Sequence, residues 1–219
     1  MYVSKKTLLY YVVLLFVFFI FSIITFLVVN DGLHLMLGWN LFLAFIPFLL
    51  VYILDRRKIK SKAINITILL LWLFFFPNSM YVMTDLIYIN YNDFMTSVGQ
   101  YSGLSYLQNL TAYLAMFHII IGMIIGIVYG LKSINVLYKY CKKSVLSKYR
   151  DFLVIGVFTL SSTGIFIGRF FRYNSWEVFK VWNIIYDFFS GLSWFTIFFI
   201  FFMTIIQLLI FYSVRKIAK

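Results

Sequence analysis

The sequence predicts an all-α fold: a polytopic helical membrane protein with six transmembrane helices and both termini in the cytoplasm. Three observations predict it. Of 219 residues, 63% are hydrophobic and only 12% are charged, with a mean hydropathy of +0.96, well beyond the apolar share of an ordinary soluble domain. Apolar runs of spanning length recur six times, and the basic residues collect on alternate connections between them. With a hydrocarbon layer about 30 Å thick and a helical rise of about 1.5 Å per residue, each span needs roughly 20 apolar residues. The chain therefore forms one integral membrane domain, 1–219, with short loops and no room for a separate soluble domain. Helices are required because an open strand edge has no hydrogen-bond partner in lipid.

The first span, 7–29, follows Lys5 and Lys6. It is too long for the apolar core of a secretory signal and has no small-x-small cleavage site, so it is expected to remain as a helix. The second, 36–54, holds Asn40 and Pro47 in an otherwise apolar run. The third, 64–84, runs into the polar, proline-broken stretch 76–85. The fourth, 109–131, repeats glycine every four residues at Gly122, Gly126 and Gly130, and the fifth, 152–171, continues the spacing with Gly164 and Gly168. Small residues at that interval let helix backbones approach closely, which predicts that spans four and five pack together. The sixth, 190–213, ends before Arg215 and Lys216.

Orientation follows from charge. Of the 19 basic residues, 16 lie at the two termini and in the connections at 56–62 and 132–150; only Arg169, Arg172 and Lys180 lie opposite. That asymmetry places the termini on the cytoplasmic side. The acidic residues lean the other way, with Asp31, Asp85, Asp93, Glu177 and Asp187 outside. A net charge of +12 would point to nucleic acid in a soluble chain, but basic residues confined to short loops between spans indicate membrane lipids as partners and no nucleic acid. The single cysteine, Cys141, excludes an intramolecular disulfide, a CxxC redox pair and a thiolate metal cluster. GxSxG, HExxH and P-loop patterns are absent, as is any pair of intramembrane aspartates, so no cofactor and no metal site are expected and the question of an enzyme stays open.

The stretch 76–85 is where lipid would normally demand leucine and isoleucine. Polar residues at membrane depth are tolerated when they face protein or water, which makes this the expected functional site. Pro77 removes a backbone donor and tends to kink the span. If the helix continues past it, Asn78, Tyr81, Asp85 and Tyr88 recur on one face, with Asn78 about 10 Å below the outer end and Asp85 at the mouth. The proposed opposite wall leaves the membrane at the end of span five. There Arg169 and Arg172 sit three residues apart, a spacing at which two guanidinium forks can grip a carboxylate or phosphate. Asn174, Trp176 and Glu177 follow, and Thr84 joins the first wall. The alternative is that an arginine simply pairs with Asp85 or Glu177 to hold helices together, with Tyr173 and Trp176 as interfacial anchors. His118, in the middle of span four, is expected to be a neutral packing residue, since the only other histidine, His34, falls in the first outer loop. Ser161, Ser162 and Thr163 are expected to bond back to carbonyls of their own helix.

Asn40 to Ala44 with Pro47, Pro77-Asn78 through Tyr81 to Thr84-Asp85-Leu86, and Gly168-Arg169-Phe170 through Arg172 to Asn174-Ser175-Trp176 together resemble an uncharacterised family of bacterial integral membrane proteins, the domain of unknown function 1361. The resemblance implies a multi-pass helical protein of the bacterial cytoplasmic membrane with no settled activity. Met80 stands where that family has a second proline, Tyr88 where a histidine is common, Tyr173 for tryptophan and Glu177 for aspartate.

Three functions fit these residues. The first is binding or transport of an anionic solute or lipid headgroup in an outward-facing pocket. The second is a cell-envelope enzyme with Asp85 as candidate catalytic base or nucleophile and the arginines neutralising a phosphate. The third is an accessory subunit that docks a membrane-protein partner through the aromatic segment 88–106.

Overall fold

A computed structural model describes residues 3–56, 61–97, 104–142, 145–173 and 175–217. The chain is a six-span helical membrane protein. The spans are α1 (Lys5–Val29), α2 (Leu33–Arg56), α3 (Lys62–Tyr81, extended as a 3-10 helix over Val82–Tyr88), α4 (Leu110–Lys142), α5 (Arg150–Phe170) and α7 (Trp194–Ile217). A shorter helix, α6 (Val181–Ser190), precedes the last span, and two three-residue strands, β1 (Met95–Ser97) and β2 (Leu104–Tyr106), pair antiparallel between α3 and α4.

Capping explains several ends. Ser4 accepts the Thr7 N–H at 3.0 Å to start α1, and Asn30, left-handed at φ 56°, closes it with its N–H on the Phe26 carbonyl. Asp31 then accepts the Leu33 N–H at 2.9 Å, turning the chain into α2 within three residues. The fourth span is much longer than expected: α4 has 33 residues, about 50 Å of helix, and overruns the bilayer. Hydropathy marks where lipid ends, not where a helix ends. Beyond Leu131 the helix stays ordered by packing, since Ile134, Val136 and Tyr138 are buried and Ser133 accepts the Trp72 indole N–H at 3.2 Å.

The sixth span was expected from residue 190, and the run splits instead. α6 exposes Trp182, Ile185, Tyr186 and Phe189 at helical spacing and buries no residue, the pattern of a helix lying along the membrane boundary rather than crossing it.

The centre of the bundle is α2, which packs on α1, α3 and α4; α3 in turn meets α5, and α5 meets α7. Tyr11, Phe45, Phe48 and Tyr129 form an aromatic knot here, with ring centroids 4.8 to 6.4 Å apart, and the Tyr129 hydroxyl donates to the Tyr11 carbonyl at 2.8 Å. The lipid-facing sides of α1 and α7 expose rows of Leu, Ile, Val and Phe, as a surface in hydrocarbon should. The α5–α7 seam is polar: Ser162 donates to the Phe158 carbonyl at 2.9 Å and accepts from Gln207 at 2.8 Å. Thr163 likewise bonds back to Thr159 at 3.0 Å, whereas the buried Ser161 hydroxyl has no partner among the described residues.

The glycine repeats do not draw α4 and α5 to each other. A Cβ built on Gly126 would lie 2.6 Å from Val82 Cγ2, and one on Gly130 would lie 2.5 Å from Ser79 Oγ and 2.8 Å from Met80 Cε. From the other side, a Cβ on Gly164 would lie 2.8 Å from Pro77 Cγ. Gly122 instead meets Phe18 of α1, but Gly126 and Gly130 from one side and Gly164 from the other close on the same target, the 77–82 segment of the third span, which is clamped between them. The helix runs on through Pro77 to Tyr81, and glycine gives the proline ring room.

Candidate functional site

The clamp sets the end of α3. After Tyr81 the α-helix tightens into the 3-10 helix Val82–Tyr88, where residues three apart eclipse. Tyr81 and Thr84 line up along one edge, and Asp85 and Tyr88 along the next. One side chain from α5, Arg169, covers all four. Its Nε donates to Thr84 Oγ1 at 3.0 Å and its Nη2 to the same atom at 2.5 Å; Nη2 also reaches Asp85 Oδ1 at 2.6 Å, and Nη1 the Tyr88 hydroxyl at 3.0 Å. The guanidinium carbon lies 4.2 Å from the Tyr81 ring centroid, a cation–π contact. Thr84 can accept twice because its own hydroxyl proton is given to the Tyr81 carbonyl at 2.7 Å.

This is a buried ion pair: the Arg169 side chain is 8% exposed and that of Asp85 is 2%. The other carboxylate oxygen, Oδ2, accepts from Asn40 Nδ2 of α2 at 3.3 Å. Spans two, three and five thus meet at one carboxylate. Asn40 was not among the expected site residues, and the signal for it was modest: a lone carboxamide in a run of Leu, Phe and Ala. Tyr88, placed on the expected stripe, is here a hydrogen-bond acceptor for Arg169.

Beside the pair lies a groove of about 550 Å³ between α2, α3, α5 and α6. Its polar lining is Asn40, Asn78, Tyr81, Thr163 and Tyr173, and its walls are apolar. Two of those walls, Leu43 and Leu73, are the residues four before Pro47 and Pro77. Each proline lacks the N–H that would bond the carbonyl four residues back, so those two carbonyls lose their intrahelical donor. α6 closes the far end through Val181 and Ile184, held by Tyr173, whose hydroxyl donates to Asp187 at 2.6 Å. That bond to the carboxylate pushes the Tyr173 phenol pKa above its ordinary value.

The expected residues therefore separate. Tyr81, Thr84, Asp85 and Arg169 come together, and Asn78 lines the groove one turn deeper, with its Nδ2 on the Phe75 carbonyl at 3.0 Å. Arg172 does not join Arg169 as a second fork. α5 stops at Phe170, and Arg172 is exposed and left-handed at φ 59°, past the helix end, so the three-residue spacing no longer maps to one face. Glu177 pairs with Lys180 at 2.7 Å in the 3-10 turn before α6, not with either arginine in an ion pair. Asn174 lies outside the described residues, as does the Trp176 side chain.

His34 also differs from expectation. His34 is not in a loop but in the first turn of α2, and both His34 and His118 are fully buried. Their Nδ1 atoms are 2.8 Å apart and their rings stack at an interplanar angle of 12°. Ser22 gives its proton to the Phe18 carbonyl and so accepts from His118 Nε2 at 3.0 Å. Neutral His118 must then accept at Nδ1, from the Nδ1–H of His34. The His34 Nε2 is left as a buried acceptor with no partner among the described residues. His118→Leu is expected to lower stability by about 1–3 kcal/mol, because it strands the His34 donor. A thermal midpoint in detergent equal to that of the wild type would contradict the shared bond. Among the described residues no group of three or more His, Cys, Asp or Glu is placed to hold a metal ion.

A family model described as a protein of unknown function (DUF1361) matches residues 39–210. No curated protein and no solved structure matches the chain.

Proposed function

The chain belongs to the DUF1361 family, and from that premise we propose that it is a binding or transport protein of the cell membrane whose groove beside Asp85 and Arg169 takes an amphipathic, lipid-like ligand with an anionic headgroup. Positive-inside asymmetry puts this groove at the outer face and both termini in the cytoplasm. The observation that carries the reading is the sharing of residues: Asn40 and Tyr81 line the groove and also touch the ion pair. A headgroup in the groove is thus one side chain away from the guanidinium. The apolar walls suit an acyl or prenyl chain, and the carbonyls of Leu43 and Leu73 suit headgroup hydroxyl or amine donors.

The mechanism is exchange of partners. An anionic headgroup competes with Asp85 for Arg169, Asp85 falls back on Asn40, and the link between the third and fifth spans is released. Two substitutions should then act in opposite directions. Asp85→Asn removes the competing charge and is expected to raise retention of the co-purifying ligand; Arg169→Gln is expected to abolish it. Native mass spectrometry of protein purified from its membrane reads both. If neither variant changes the co-purifying species, the reading fails. Binding is favoured over catalysis because both Asp85 oxygens are engaged in the resting site, by Arg169 and Asn40, and Asp85 itself does not line the groove.

A further inference from the structure

We propose a second ligand site at the face that carries the termini, in which Arg150 binds the phosphate of an anionic phospholipid from that leaflet. A cavity of about 600 Å³ lies there among α2, α3, α4 and α5, within the usual range for a ligand site. Most of its wall is apolar, including Ile134, Val154 and Val157. Two further lining residues, Leu69 and Leu153, are 38% and 43% exposed, so the cavity opens sideways between α3 and α5 onto the surface that faces lipid.

The polar end holds a guanidinium that, among the described residues, has no hydrogen-bond partner and is engaged only by a long ion pair and by an aromatic ring. Arg150 makes no hydrogen bond among the described residues, its Nε is buried without a partner, and its nearest carboxylate oxygen, on Asp151, is 3.8 Å away. The contrast with Arg169 is direct, since every nitrogen of that guanidinium is bonded. A buried donor left unmet is costly, and phosphate oxygens match the guanidinium fork. Two carboxylates lie nearby, Asp55 in the cavity wall and Asp151 beside Arg150, and both also accept from neutral donors. Asp55 accepts from the Val3 N–H at 2.8 Å and the Tyr140 hydroxyl at 2.7 Å, and Asp151 from the hydroxyls of Tyr138 and Tyr212 at 3.0 and 3.2 Å.

Positive charge is concentrated by Tyr138, whose ring centroid lies 4.2 Å from the Arg150 guanidinium carbon and 3.6 Å from that of Arg215. The ring, itself part of the cavity wall, thus has Arg150 of the lining and Arg215 from outside it as neighbours. This face also carries 16 of the 19 basic residues, which attracts an anionic leaflet surface. A single molecule answers all three features: a phosphate for Arg150, a net negative charge for the basic face, and an acyl chain for the apolar cavity with its lateral opening. A phospholipid of zero net charge answers only two.

The test uses the full chain in detergent with phosphatidylglycerol or phosphatidylcholine added, followed by native mass spectrometry. The wild type is expected to retain phosphatidylglycerol in preference to phosphatidylcholine, and Arg150→Gln to lower that retention about tenfold or more, as the loss of hydrogen bonds to a charged group implies. Leu153→Trp keeps the arginine and fills the cavity; it should lower retention too, and it remains informative if Arg150→Gln folds poorly. Wild-type retention in either variant overturns the site. So does displacement of the lipid from the wild type by millimolar inorganic phosphate, which would assign the arginine to a free anion. The two sites are judged by separate substitutions, Arg150→Gln and Leu153→Trp here, Asp85→Asn and Arg169→Gln at the groove, so one can fail without the other.

Discussion

Arg169→Met is expected to cost about 3–5 kcal/mol of folding stability, among the largest effects of any single substitution in this chain. Asp85 is 2% exposed, and without Arg169 it is a buried charge with only a 3.3 Å bond from Asn40 to compensate it. The asymmetry of buried pairs sharpens the prediction. Removing one partner strands the other, whereas replacing both by apolar residues of similar volume is often neutral. Asp85→Leu combined with Arg169→Met should therefore recover most of the loss, limited by Asn40 and Tyr88, whose hydrogen-bond partners have gone. Thermal unfolding in detergent of the single and double variants forms the cycle. A double variant as unstable as the single one would mean that the pair stabilises the fold beyond neutralising its own charges.

The second large effect concerns the clamp around 77–82. Gly130→Leu places a side chain where even a Cβ would stand 2.5 Å from Ser79 Oγ, and Gly164→Leu does the same against Pro77 at 2.8 Å. Both neighbours sit on a segment pressed from two sides, so neither can yield cheaply. Each substitution is expected to destabilise by about 1–3 kcal/mol or more, the usual cost of overpacking. Gly156→Ala is the internal control on the same helix as Gly164. Nothing lies within 4 Å of its added Cβ, so the gain in helix propensity, up to about 1 kcal/mol, is unopposed. Opposite signs at Gly164 and Gly156, measured as shifts in the thermal midpoint, distinguish close approach from a general intolerance of α5 to larger residues. The clamp also couples to the site: displacing Pro77 or Val82 moves the 3-10 helix that aligns Thr84, Asp85 and Tyr88, so ligand retention at the groove should fall with stability.

Much of the architecture was legible because lipid imposes a simple rule. A span must be long, apolar and helical, and each of the six was recognisable to within a few residues at most of its ends. The misreadings fall where that rule does not operate. α4 runs past the membrane because Val136 and Tyr138 are buried against protein, and α6 separates from α7 because a boundary helix is amphipathic rather than uniformly apolar. Asp85 and Arg169 stood out because charges at membrane depth are expensive enough to be conspicuous. Asn40 did not, since one carboxamide in an apolar run is compatible with many roles.

Composition, periodicity and charge asymmetry by themselves determined the class, the number of spans, the orientation expected of them and the presence of a polar cluster near the end of the third span. Those properties depend on each residue's interaction with its solvent, and lipid reads them one segment at a time. Which residues meet was decided only by tertiary packing. An α-helical spacing would have paired Arg169 with Arg172, but α5 ends between them. Glycine spacing would have joined α4 to α5, but Gly126, Gly130 and Gly164 close on Pro77 to Val82. Periodicity specifies the face on which a side chain lies and not the neighbour it finds there. For that reason the arginine most conspicuous in the sequence, Arg169, has every guanidinium nitrogen bonded, while Arg150, unremarkable among loop lysines, has a buried Nε without a partner among the described residues.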